Sequence, residues 1–339
     1  MMDDQKGSHP GRAALRSLLP VLWIAALIVF GVVFWFQEHR ELSQIGPLIA
    51  SANPWWLTAA LAGVPLVLAA NVMVYRNLLQ RLGANPARRV VWRAYMRSIV
   101  VGTVMPLGIP SSMAGMTREL VRQGVTLDSA LLASMLSGTL SYTAFMLLLP
   151  PTLVLLGVEH HVAPLIIPAI LLTGLFMLLI VLLGIGFYGG PIPQWLERRL
   201  PDVVIRFVER ARGHQMRAKE LLWPGALALF GDLVGALTLW FALHSVGEHP
   251  TLSEALIGAE LGTLISVAAP IFQGAGVVEL TMTVVLEQFG NPVAAALSAT
   301  LLYRICTLWL PFIGGVISWI NPGSARLRRD ERGADRPRR

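Results

Sequence analysis

Residues 255–290 read ALIGAELGTLISVAAPIFQGAGVVELTMTVVLEQFG, and residues 94–124 read AYMRSIVVGTVMPLGIPSSMAGMTRELVRQG. Each stretch starts as a moderately apolar helix, stops at a Pro/Gly-rich break and resumes as a shorter, more polar helix. The breaks fall at Met105-Pro106-Leu107-Gly108 and from Ala269-Pro270 through Gln273-Gly274 to Gly276. Proline removes a backbone donor and clashes with the preceding turn, so a straight membrane-crossing helix is interrupted at both places. Irregular backbone is tolerated at membrane depth only where protein buries it or where it lines a wet cavity. The expectation is therefore two re-entrant helical hairpins, each returning to its own face. Two short kinked spans at each place are the alternative.

The surroundings of these stretches are those of a membrane protein. Of 339 residues, 55% are hydrophobic and 14% charged, with a mean hydropathy of +0.62. Soluble domains carry about 25% charged residues, and disordered, collagenous and disulfide-stapled chains are excluded with them. A bilayer core takes roughly 20 apolar residues per helix. Apolar runs of that kind lie at about 17–36, 55–79, 127–150, 163–188, 221–245 and 293–319. The expected fold is an all-α polytopic membrane protein, with about six full spans plus the two hairpins. The first run is read as a retained anchor. It is longer than a signal-peptide core and ends in FWFQEHREL without a small-x-small cleavage site. The domain reading is a cytoplasmic segment 1–16, a transmembrane domain 17–320 and a basic, disordered cytoplasmic tail 321–339.

Charge tests this layout. With each hairpin returning to its own side, the cytoplasmic segments are 1–16, 76–122, 189–220 and 321–339. They hold three, eight, seven and seven Lys or Arg, which is 25 of the 27 in the chain. Arg40 lies outside, and Arg304 falls within the last span. Such a bias is a positive-inside signal, and a single crossing at either broken stretch would scramble it. The net charge of +7 thus marks topology, with both termini cytoplasmic in a plasma (inner) membrane. The order of apolar helix, break, short helix, glycine turn and long Ala-rich span occurs twice, from opposite sides. That makes an inverted repeat, an arrangement of alternating-access folds with midplane sites.

The segments MPLGIPSSMAGMTRELVRQGV and VAAPIFQGAGVVEL…FG…AAALSATLLYRI resemble the lysylphosphatidylglycerol synthase transmembrane family, also called flippase-like. The Pro-x-x-x-Gly-x-Gly-Val-x-Glu element from Pro270 to Glu279 is the most specific piece, and Leu302-Tyr303-Arg304 supports it. The resemblance covers about 17–320. It implies movement of lipids between leaflets, and some members carry a separate lipid-aminoacylating domain. With 19 residues after Ile320, no soluble synthase domain is expected here. One departure concerns the first hairpin, where the family pattern often has an acid shortly before its arginine. Ser111–Thr117, before Arg118, contains none, so no acid–base role is carried over to it.

Ionisable groups within a membrane are costly, so each is a functional candidate. Arg304 and Asp232 lie deep in their spans, Glu279 follows the second break, and Glu260 lies on the helix before it. Arg304 is read as a partner for a lipid phosphate, which its planar fork matches bidentately, with Glu279 or Asp232 releasing it. The competing reading is a permanent ion pair of Arg304 with Glu279 or Asp232. Arg118 and Arg122, at i,i+4 spacing, recruit anionic headgroups or serve as ordinary positive-inside anchors. Arg88, Arg89, Arg93 and Arg97, with Trp92 and Tyr95, read as an interfacial anchoring helix, and 195–220 reads the same way. Pro106, Gly108, Pro270, Gly274 and Gly276 are the chain-reversal residues.

Enzyme readings find little support. His160, His161 and His249 come without HExxH or clustered carboxylates, and Cys306 is the single cysteine, so no metal or cofactor is expected. There is no GxSxG element or P-loop, and no folded module for nucleic acid. The functional expectation is a non-enzymatic, flippase-like protein. It moves an anionic phospholipid or polyprenyl-phosphate lipid through a polar groove between the hairpins. A non-transporting scaffold or partner of a separate lipid- or envelope-modifying enzyme is the alternative, and an intramembrane lipid-modifying enzyme using Glu279 and Arg304 is a third.

Overall fold

The computed structural model describes residues 46–105, 109–160, 218–268 and 272–320. The expected spans 17–36 and 163–188, the 195–220 segment up to residue 217 and the tail 321–339 lie outside the described residues. So do Pro106, Gly108 and Pro270 at the breaks. Every regular element described is helical: α1 (Pro54–Arg81), α2 (Arg88–Val104), α3 (Ile109–Arg122), α4 (Leu127–His160), α5 (Ala218–Ser245), α6 (Leu252–Ala268), α7 (Val277–Gln288), α8 (Val293–Arg304) and α9 (Leu310–Ile320). A π turn at Ile305–Trp309 joins the last two into one continuous rod. Among the described residues, four stretches are long and apolar enough to cross a membrane: Pro54–Arg81, Leu127–Thr152, Lys219–Ser245 and Val293–Ile320.

Helix α1 starts where its sequence dictates. Pro54 occupies the first turn, where its missing N–H costs nothing. Asn53 caps the helix by accepting from the Trp55 amide at 3.0 Å. At 28 residues it is about 42 Å long, more than a 30 Å hydrocarbon layer requires. It lies antiparallel to α5. The Asn53 amide donates to the Ser245 carbonyl at one end (2.7 Å), and Arg81 meets Glu220 at the other (3.1 Å). Between these ends Gly63 is pressed against Thr238. A Cβ there would sit 2.5 Å from Thr238 Oγ1, the close approach that small residues allow between membrane helices.

Both broken stretches fold as antiparallel hairpins. In the first, Val101 of α2 faces Gly115 of α3, and Arg97 faces Glu119. In the second, Gly258 and Gly262 of α6 face Leu286 and Met282 of α7. Loops of a few residues join α1 to α2 and α5 to α6. Since α1 and α5 run in opposite directions, the two hairpins enter the bundle from opposite ends. Each half also has its own apolar core. Leu78, Leu79, Leu120 and Leu132 centre the first, and Leu239, Leu243, Met282 and Leu286 the second. The basic run 88–97 forms the first half of α2, continuous with the hairpin arm that ends at Val104.

Candidate functional site

The second break is a short 3-10 turn, Phe272–Gly274, followed by α7. Three residues here have positive φ: Gln273 (49°), Gly274 (73°) and Gly276 (90°). The two glycines are the ones the sequence marked for chain reversal, and only glycine takes such angles without strain. Gln273 is not glycine, and its conformation is held from several sides. Its carbonyl accepts from Ser266 Oγ at 3.0 Å and from Arg304 Nη2 at 3.2 Å. Its side-chain amide reaches Thr103 Oγ1 at the end of α2 (3.4 Å). The tips of the two hairpins therefore meet at Gln273 and Thr103.

Glu279 and Arg304 lock this turn from the other side. Glu279 stands at the third position of α7. One of its oxygens accepts from the Gly276 amide at 2.5 Å, the acid half of a capping box. The other accepts from Arg304 Nε at 2.8 Å. Arg304 is 5% exposed, and its neutralising partner is Glu279. Of the two partners the sequence left open for Arg304, the geometry selects Glu279. Asp232 is elsewhere, with its Oδ2 buried and unpartnered.

The first hairpin carries an ion pair that sequence reasoning missed. Glu119 on α3 is buried and bonds Arg97 of α2. Arg97 also donates from Nε and Nη2 to the Ser318 carbonyl of α9, at 3.2 and 3.1 Å. Arg97 is thus a structural partner and not the surface anchor it resembled. Its acid directly follows Arg118, whereas the family pattern places an acid before the arginine. A signal was present: Ala-Gly followed shortly by Glu-Leu occurs in both hairpins, at Ala114-Gly115…Glu119-Leu120 and Ala275-Gly276…Glu279-Leu280. Arg118 and Arg122 are both exposed, with Arg122 leaning 3.7 Å from Glu119.

Between the two halves lies a cavity of about 400 Å³. Both hairpins wall it, through Tyr95 of α2, Ser112 of α3, Glu260 and Thr263 of α6, and Gln273. Asn71, Ser137, Ser141, Asp232, Tyr303 and Thr307 add polar groups from α1, α4, α5, α8 and the π turn. Among the predicted site residues Asp232 lines this cavity, while Arg304, Glu279, Arg118 and Arg122 do not. Arg304 acts one layer back, fixing Gln273 in the wall. The described residues contain no group of three or more His, Cys, Asp or Glu that would hold a metal ion. The apolar outer faces of the helices, including Leu66, Leu147, Phe230, Ile313 and Ile317, suit a lipid surround.

Residues 22–315 match the family model described as Lysylphosphatidylglycerol synthase TM region. The chain belongs to that family. The match covers both hairpins, the Arg97–Glu119 and Arg304–Glu279 pairs and every wall of the cavity. Membership and the four apolar helices make this a multi-pass membrane protein of lipid-related function. No curated protein matches the chain.

Proposed function

We propose that the chain is a lipid translocator of the plasma membrane. It passes the headgroup of an anionic or polyprenyl-linked lipid through the cavity between the hairpins while the acyl chains stay in the bilayer. The observation that carries this reading is the cavity itself. It sets hydroxyl, amide and carboxyl groups among apolar side chains, is about 400 Å³ in volume, lies between the two halves of the bundle, and is walled by hairpins that enter from opposite ends. A headgroup crossing hydrocarbon unaided leaves its polar atoms unsatisfied. Hydroxyls and amides from most of the described helices meet it here instead. The hairpins are re-entrant in this reading, with both chain termini in the cytoplasm. Arg118 and Arg122, exposed on the first hairpin, gather anionic lipid at its mouth, and the Arg304–Glu279 pair keeps the Gln273 wall in shape. The protein works without metal or cofactor and performs no covalent chemistry.

Reconstitution tests this. Purified protein goes into vesicles whose headgroup-labelled lipids are bleached from outside by an impermeant reductant. The expected result is loss of inner-leaflet protection, faster than in protein-free vesicles, for at least one anionic or polyprenyl-phosphate lipid. No acceleration across that panel refutes translocation and leaves the chain as a scaffold for a separate lipid-modifying enzyme.

A further inference from the structure

The cavity contains a feature that an anionic headgroup must overcome. Two carboxylates, Asp232 on α5 and Glu260 on α6, line it together. Glu260 is 3% exposed. Its Oε2 and the Oδ2 of Asp232 are buried without any hydrogen-bond partner, and the two groups lie close enough to interact electrostatically. Buried carboxylates are normally paired or bonded. Elsewhere this molecule obeys that rule, since Glu279 and Glu119 each have an arginine. The other titratable groups facing the pair are Tyr75, Tyr95, Tyr142, Tyr303 and Cys306, all uncharged at neutral pH. No Lys or Arg lines the cavity; of the described arginines next to its wall residues, Arg304 beside Tyr303 is paired with Glu279, and Arg76 beside Tyr75 has a buried Nε without a hydrogen-bond partner.

We propose that Asp232 and Glu260 form a proton site: the carboxyls take up protons from water, and the protonated cavity admits a phosphate headgroup that the ionised cavity repels. Buried carboxyls remain neutral only by holding a proton, and two neighbouring ones titrate as a coupled pair. Protonation turns each acid from a pure acceptor into a donor, which is what phosphate oxygens require. Loss of those protons on the far side restores the repulsion and expels the headgroup. Lipid movement then follows the proton gradient. The proton site rests on the shared cavity wall and the two buried, unpartnered carboxyl oxygens, whereas its coupling to lipid rests on the translocation reading.

A hydrophobic carbodiimide tests the site on the full wild-type chain, because it modifies carboxyls in membranes only when they are protonated. Peptide mass spectrometry should find the adduct on Glu260 or Asp232, with labelling falling about tenfold per pH unit above its midpoint. In Asp232→Asn the midpoint at Glu260 should move by about one unit, as coupling demands. Absent labelling, pH-independent labelling, or protection by sodium ions at constant pH overturns the proton assignment. In reconstituted vesicles an imposed pH gradient should change lipid flux at least threefold, and Glu260→Gln should abolish that response. Flux indifferent to the gradient overturns the coupling. Flux absent under every condition refutes translocation, and the labelling still decides the proton site.

Discussion

The Arg304–Glu279 pair offers a test of how the second hairpin is held. Glu279→Gln keeps the size and one acceptor oxygen at the start of α7, so the cap to the Gly276 amide survives, but it removes the charge facing Arg304. A lost cap costs about 1 kcal/mol, whereas stranding a buried charge costs about 3–5 kcal/mol. The guanidinium is 5% exposed and cannot turn to water, so charge wins, and Glu279→Gln should destabilise by about 3 kcal/mol. Arg304→Met should cost less. The carboxylate it leaves behind is 13% exposed, still bonded to Gly276 and favoured by the helix N-terminus. The double variant Glu279→Leu/Arg304→Met should lie within about 1 kcal/mol of wild type, since apolar pairs often replace buried ion pairs without loss. Reversible unfolding in mixed micelles, followed by the fluorescence of the chain's ten tryptophans, measures all of these. If Glu279→Gln changes stability by less than about 1 kcal/mol, the pair does not hold the break and the reasoning fails.

Two further outcomes follow from the packing. Gly315→Ala places a Cβ 2.5 Å from the Met96 carbonyl oxygen, a backbone atom that cannot rotate away. It should destabilise by about 1–3 kcal/mol in the same unfolding assay, whereas Gly235→Ala, which meets nothing within 4 Å, should not destabilise. Arg97→Gln strands Glu119 only in part, because Arg122 stands 3.7 Å away. Its cost should be about 1–3 kcal/mol and should grow when Arg122→Gln is added, which a pair of independent surface arginines would not show.

The hairpins were legible because proline and glycine interrupt apolar runs in ways a straight span does not permit. Glu279 and Arg304 were legible because ionisable residues at membrane depth are few and conspicuous. Arg97 was not, because it closes a run of basic residues that resembles a membrane-edge anchor. Its partner lies 22 positions away, on a helix that reaches it only once the hairpin has closed. The cavity was less visible still. Its hydroxyls and amides come singly from segments between Gly63 and Pro311, and a lone Ser or Thr in an apolar helix most often bonds its own preceding turn, as Thr139, Thr143 and Thr152 do here. Glu260 stood out as an acid in an apolar helix. That it faces Asp232 with no counter-ion is a property of the assembled bundle.

The π turn at Ile305–Trp309 has a consequence for how this helix can evolve. Such a turn is a one-residue insertion into an α-helix, so it rotates everything after it by about 100° relative to everything before. The N-terminal part is phased to present Arg304 to Glu279. The C-terminal part is phased to present Gly315 to Met96 and the Ser318 carbonyl to Arg97. The extra residue lets one rod satisfy both hairpins. A relative lacking it can keep one of these alignments but not both, so a gap in this turn should be accompanied by changes at position 97 or 279.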